Sequence, residues 1–263
     1  MLGKLMKYEF MAMGRIFLPL FGALIIVSIV NGLLSLGEFS VPQGIGIVVS
    51  VLLIIGIFVI VYILTIQRFW TNLLSSEGYL MNTLPVSTDK LILSKLFVAT
   101  VWSIVSVLVV LGAIFIMAGN SADFISMIED LRSAQQAYIY FGTGEIILIV
   151  IQLIAIIILG TFCNTLLIYA CMSLGMLFNK YRALASFGAF VLITTALQII
   201  TTIIITVATF TGTFRSIDIW FDSVTTFSAI QAIIWASIAI IAVLGAIFYL
   251  ITRYMLKNRL NLQ

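Results

Sequence analysis

From Ile45 to Ile66 the chain carries no charged residue, and from Leu96 to Ala118 it again carries none. Runs of this length match a hydrocarbon layer about 30 Å thick, which a helix of roughly 20 apolar residues crosses. Inside that layer every backbone N–H and C=O has to be satisfied within the segment, so such a run is helical. The pattern repeats along the chain. It predicts transmembrane helices at 16–36, 44–66, 91–118, 145–177, 183–210 and 228–251. The fourth and fifth are long enough to tilt, kink or project beyond the bilayer. Between them Asn179, Lys180, Tyr181 and Arg182 read as a tight turn. Only 9% of residues are charged and 63% are apolar, whereas a soluble domain is about a quarter charged. The mean hydropathy is +1.26. The expected fold class is an all-α membrane protein in which residues 1–263 form a single transmembrane domain. It has six transmembrane helices and an N-terminal amphipathic interface helix.

Orientation follows from the Lys and Arg residues, which concentrate on the cytoplasmic side of membrane proteins. Of the 13 basic residues, Arg132 and Arg215 alone fall on the side that also holds Glu38, Asp123, Glu129, Asp130, Glu145, Asp218 and Asp222. The N-terminus, the segment 67–90 with Lys95 at its edge, the turn near 180 and the C-terminus hold the others. Both termini are therefore expected in the cytoplasm. Lys4 and Lys7 before an apolar run imitate a signal peptide. That run is long for one and no A-x-A-like site follows it, so an uncleaved first span is expected.

Three further segments read as lying along the membrane. In residues 1–15, Leu2, Leu5, Met6, Phe10 and Met13 follow helical spacing, with Lys4, Lys7 and Arg15 opposite. That is the pattern of an interfacial helix held at anionic lipid headgroups. In 119–144, Ser121 is a candidate N-cap with Asp123 in the first turn, ahead of a stripe of Phe124, Ile125, Ile128 and Leu131. An extracellular amphipathic loop helix is expected there. Residues 211–227, with Trp220 as an aromatic anchor, are expected to be an extracellular interfacial or re-entrant segment.

Whole classes of chemistry are missing. The chain has no His, which removes the commonest general base and metal ligand. It has no GxxxxGK[ST] phosphate loop and no acidic cluster at metal-ligand spacing. Its basic residues are scattered rather than striped, so no nucleic-acid partner is expected. Cys163 and Cys171 lie two helical turns apart, roughly 12 Å along one axis, too far for a disulfide, and read as small packing residues. No GxxxG pattern is present to pair helices. No Asp, Glu, Lys or Arg lies near the middle of a span, where ion-coupled carriers commonly place one. The polar residues there are neutral. Gln152, Asn164, Thr165, Gln198 and Thr202 are the candidates for a translocation path. The other reading is that they bond to neighbouring backbone inside the bundle.

The segment "RFWTNLLSSEGYLMNTLPVSTDKLILSK", Arg68 to Lys95, interrupts the apolar pattern. Phe69, Trp70, Leu73 and Leu74 form an apolar edge as the second span ends, and Gly78 permits a bend. Leu80, Met81 and Leu84 make a second short edge, and Pro85 closes it because the residue before a proline avoids the α region. Ser87 or Thr88 can cap the following helix, with Asp89 favourable at its positive end. Such a helix suits a groove on a cytoplasmic partner. A loop helix lying on the membrane with no partner is the other reading.

This segment resembles the loop between spans 2 and 3 in permease subunits of bacterial type-2 ABC exporters. Glu77, Gly78, Leu80, Leu84, Pro85, Val86, Ser87 and Lys95 stand at the matching places. The opening "LGKLMKYEF" is similar to that family's N-terminal interface helix through Lys7, Tyr8, Glu9 and Phe10. The resemblance implies a permease in the bacterial cell membrane moving an amphiphilic or apolar substrate, such as a peptide antibiotic, drug or lipid. It implies a second permease and a separate ATP-binding subunit that carries ATP and Mg; this chain itself would hold no cofactor and would not be the enzyme. It makes 67–90 the coupling loop. Glu77 would pair with the ATPase, Tyr79 and Leu80 would pack into its cleft, and Gly78, Met81, Leu84 and Pro85 would shape the docking helix. A non-transporting assembly or sensor subunit that docks a cytoplasmic partner through the same loop is the alternative function.

Overall fold

The computed structural model describes residues 2–36, 40–71, 88–118, 142–178, 181–212 and 226–258. These form six helices: α1 (Leu2–Leu36), α2 (Ser40–Phe69), α3 (Thr88–Ala118), α4 (Thr143–Gly175), α5 (Arg182–Phe210) and α6 (Thr226–Asn258). All six are long and apolar enough to cross a membrane, and no strand occurs among the described residues. The chain is a multi-pass, all-helical membrane protein. Ile26, Leu52, Leu108, Leu192 and Val243 are among the many large apolar side chains left exposed on helix faces. A soluble protein rarely exposes contiguous apolar surface on this scale.

Residues 1–15, expected as a separate surface helix, instead continue unbroken into the first span. α1 is one helix of 35 residues, about 52 Å long. The reason is visible in its buried face. Glu9, Met13, Phe17, Phe21 and Leu24 recur at helical spacing and are all buried, so the N-terminal turns pack on the same neighbours as the apolar span. Pro19 removes one bond from the ladder without ending the helix.

Two compact units divide the described helices: α1, α2 and α3 in one, and α4, α5 and α6 in the other. The first unit is built around Trp102 of α3, which is 5% exposed. Its ring stacks on Phe10 at 4.8 Å and on Phe17 at 5.1 Å, with Phe21 tilted at 6.2 Å. Gly14 makes room for it: a Cβ there would stand 3.1 Å from the indole. Ile57, Val61 and Leu64 of α2 close the same core. Lipid tails are as apolar as these side chains, so close packing and interhelical hydrogen bonds hold the helices together. Gly46 and Ser50 of α2 supply both. The Asn31 amide of α1 sits in the notch that Gly46 leaves and donates to Ser50 Oγ at 3.3 Å, while Ser50 Oγ donates to the Gly46 carbonyl at 2.9 Å. Gly46 and Ser50 form a small-xxx-small pair that a search for GxxxG alone passes over.

In the second unit α4 packs against both α5 and α6. Leu166, Tyr169, Ala170, Cys171 and Met172 make the buried face of α4, and Ile234, Phe248 and Leu256 that of α6. Both cysteines are free, Cys171 buried and Cys163 partly so, as the sequence reading expected. Two i→i+3 bonds, from Leu177 to the Leu174 carbonyl and from Phe178 to the Gly175 carbonyl, tighten the end of α4. α5 differs from its neighbours. Ser186 is its one buried residue, and none of its apolar window is buried.

Candidate functional site

Glu77, Gly78, Tyr79, Leu80, Met81, Leu84 and Pro85, the residues expected to form a coupling loop, lie outside the described residues. So do 119–141, 213–225, Asn179 and Lys180. The roots of the 72–87 segment are described, and they carry a charge cluster. Lys95 Nζ donates to Glu9 Oε1 at 2.6 Å, and Arg68 Nη1 lies 3.7 Å from Glu9 Oε2. One carboxylate on α1 therefore holds a cation at the end of α2 and another near the start of α3. The Lys95 side chain is 3% exposed, that of Glu9 11% and that of Arg68 31%. The inner pair is withdrawn from solvent while Arg68 sits at the rim. Helix spacing builds the arrangement: Glu9 is the acid on a stripe otherwise occupied by Met13, Phe17 and Phe21. The sequence placed these charges on one side of the membrane but did not pair them. Their signal was an acid in phase with a core face.

The rest of the N-terminal set separates from Glu9. Lys7, Tyr8 and Arg15 are exposed, and Phe10 is half-exposed against Trp102. Lys4 lies on α1, but its side chain is outside the described set.

The five candidate path residues do not form one site. Gln152 is buried and donates to Gln231 Oε1 of α6 at 2.7 Å. Thr165 is buried and donates to the Thr161 carbonyl of its own helix. These two behave as bundle packing. Gln152 and Thr165 stand about 20 Å apart along α4. Asn164 is exposed on the same helix. Gln198 and Thr202 face outward on α5, where they line an open groove of about 300 Å³ with Thr195, Ile199 and Ile203.

A chemical rule sorts these groups. A span hydroxyl can donate to the carbonyl one turn earlier in its own helix, as Ser28, Thr65, Thr100, Ser106, Thr202 and Thr252 do. A carboxamide has two donors and an acceptor and needs a partner elsewhere. Asn31 finds Ser50, and Gln152 finds Gln231. The Gln198 amide, near the middle of α5, makes no hydrogen bond among the described residues. That leaves a polar stripe of Thr195, Gln198 and Thr202 at mid-span on the helix with the least burial.

No family model matches the chain, and no characterised protein or solved structure does.

Proposed function

We propose that the chain is the membrane-spanning permease subunit of an ATP-driven exporter in a bacterial cell membrane. Its N- and C-termini face the cytoplasm. It moves an amphiphilic or apolar substrate, and a separate ATP-binding subunit supplies the energy from the loop between α2 and α3. The observation that carries this reading is the Thr195–Gln198–Thr202 stripe. An amide left against hydrocarbon is unfavourable, so the stripe calls for a second permease, a water-filled route or a polar substrate group across from it. A paired permease supplies all three. The uncharged middles of the spans favour energy entering from outside the bilayer. The Glu9 cluster fits the same division of labour, because it fastens both roots of the proposed docking loop to α1.

Capture of the ATP-binding protein encoded beside this chain tests the reading. The intact chain is expected to retain it through purification. Replacing Glu77 and Leu80 together by alanine is expected to weaken that retention about tenfold or more, as loss of two central contacts does. If the intact chain retains no ATP-binding protein, the docking role is wrong.

A further inference from the structure

We propose that the N-terminal turns of α1 and the start of α3 form a binding site for an anionic phospholipid, with one acyl chain in an apolar groove and the phosphate on Lys7. The groove has a volume of about 340 Å³ and is walled by Met6, Phe10, Met11, Phe97 and Val98. Its walls are open to a ligand: Phe10 is 42% exposed, Met11 45% and Phe97 47%. The Phe10 ring is fixed by its stack on Trp102, so the groove is preformed.

Charge selects the occupant. Lys95 is bonded to Glu9 and Arg68 lies 3.7 Å from it, so the Glu9 carboxylate takes up both of these cations. Lys7 stands about 3 Å from Glu9 along the α1 axis, on its N-terminal side. Lys7, on the groove's rim and exposed, has no ion-pair partner among the described residues. An open apolar groove bordered by a lysine with no ion-pair partner among the described residues matches an acyl chain joined to a phosphate. A wholly apolar ligand would not use Lys7, and a small anion would not use the slot.

The test is lipid retention by the full chain, purified from vesicles of equal parts phosphatidylcholine and phosphatidylglycerol and weighed by native mass spectrometry. The unaltered chain is expected to hold phosphatidylglycerol in preference to phosphatidylcholine. Lys7→Gln is expected to reduce that preference about fivefold, the share of one lysine near an anionic surface. Gly3→Leu is expected to reduce retention of both lipids at this site. Gly3 lines the groove and a Cβ there meets nothing within 4 Å, so the substitution fills the slot without disturbing the helices. Inorganic phosphate is expected not to displace the lipid. Equal retention of the two lipids by the unaltered chain overturns the proposal. A preference that survives both substitutions places the lipid elsewhere and also overturns it. Displacement by inorganic phosphate reduces the site to an anion site and rejects the acyl-chain half.

Discussion

Replacing Glu9 by alanine is expected to destabilise the first unit by about 3–5 kcal/mol, the range for breaking a buried ion pair from one side. Lys95 Nζ is 2.6 Å from this carboxylate, and its side chain is 3% exposed. Without Glu9 the ammonium stays buried beside Arg68, another cation, with no ion-pair partner among the described residues. The companion changes separate charge from packing. Glu9→Leu combined with Lys95→Met removes both buried charges and is expected to cost far less than Glu9→Ala alone, because the penalty lies in leaving one charge unpaired. Arg68→Ala is expected to cost at most about 1 kcal/mol, since its pair with Glu9 is longer and partly exposed. Thermal unfolding of the purified chain in lipid nanodiscs reads all three. If Arg68→Ala proves as damaging as Glu9→Ala, the inner pair is not the fastening point.

The second large effect belongs to the α4–α5 turn. A Cβ on Gly175 would fall on Ser186 Oγ and would also lie 2.6 Å from the Ser186 backbone nitrogen and 2.7 Å from its Cα. A side chain can swing aside, but backbone cannot move without displacing α5. Gly175→Ala is therefore expected to destabilise the second unit by about 3 kcal/mol, at the upper end of overpacking penalties. Gly188, farther along α5, is different: a Cβ there would meet nothing within 4 Å. Gly188→Ala is expected to be neutral or to stabilise by up to about 1 kcal/mol through helix propensity. Opposite signs from the same substitution at two glycines would mark the crossing. A Gly175→Ala protein that melts with the unaltered chain would contradict the close approach.

The number and kind of the helices, and the limits of the inner ones, were legible because apolar length is written continuously in the sequence. The expected second span, 44–66, became Ser40–Phe69, and the expected fifth, 183–210, became Arg182–Phe210. The contacts between helices were not legible. Glu9, Asn31, Gln152 and Gly175 each act through a residue distant in sequence, and composition does not encode which faces meet. Some signals were present and unused. Glu9 lies in phase with Met13 and Phe17, and Gly46 precedes Ser50 by one turn. The separation of residues 1–15 from the first span failed for a related reason. Charges on one face suggested a helix along the surface, while the buried stripe of the opposite face carried straight into the core.

The measurement that tests the central claim most directly is ATP turnover by the proposed ATP-binding partner, any such protein encoded beside this chain, reconstituted in lipid with and without it. The chain is expected to change the turnover, and Glu77→Ala with Leu80→Ala is expected to abolish the change while the helices remain folded. Turnover that is the same with the chain, with the loop variant and with lipid alone would contradict a permease coupled through this loop.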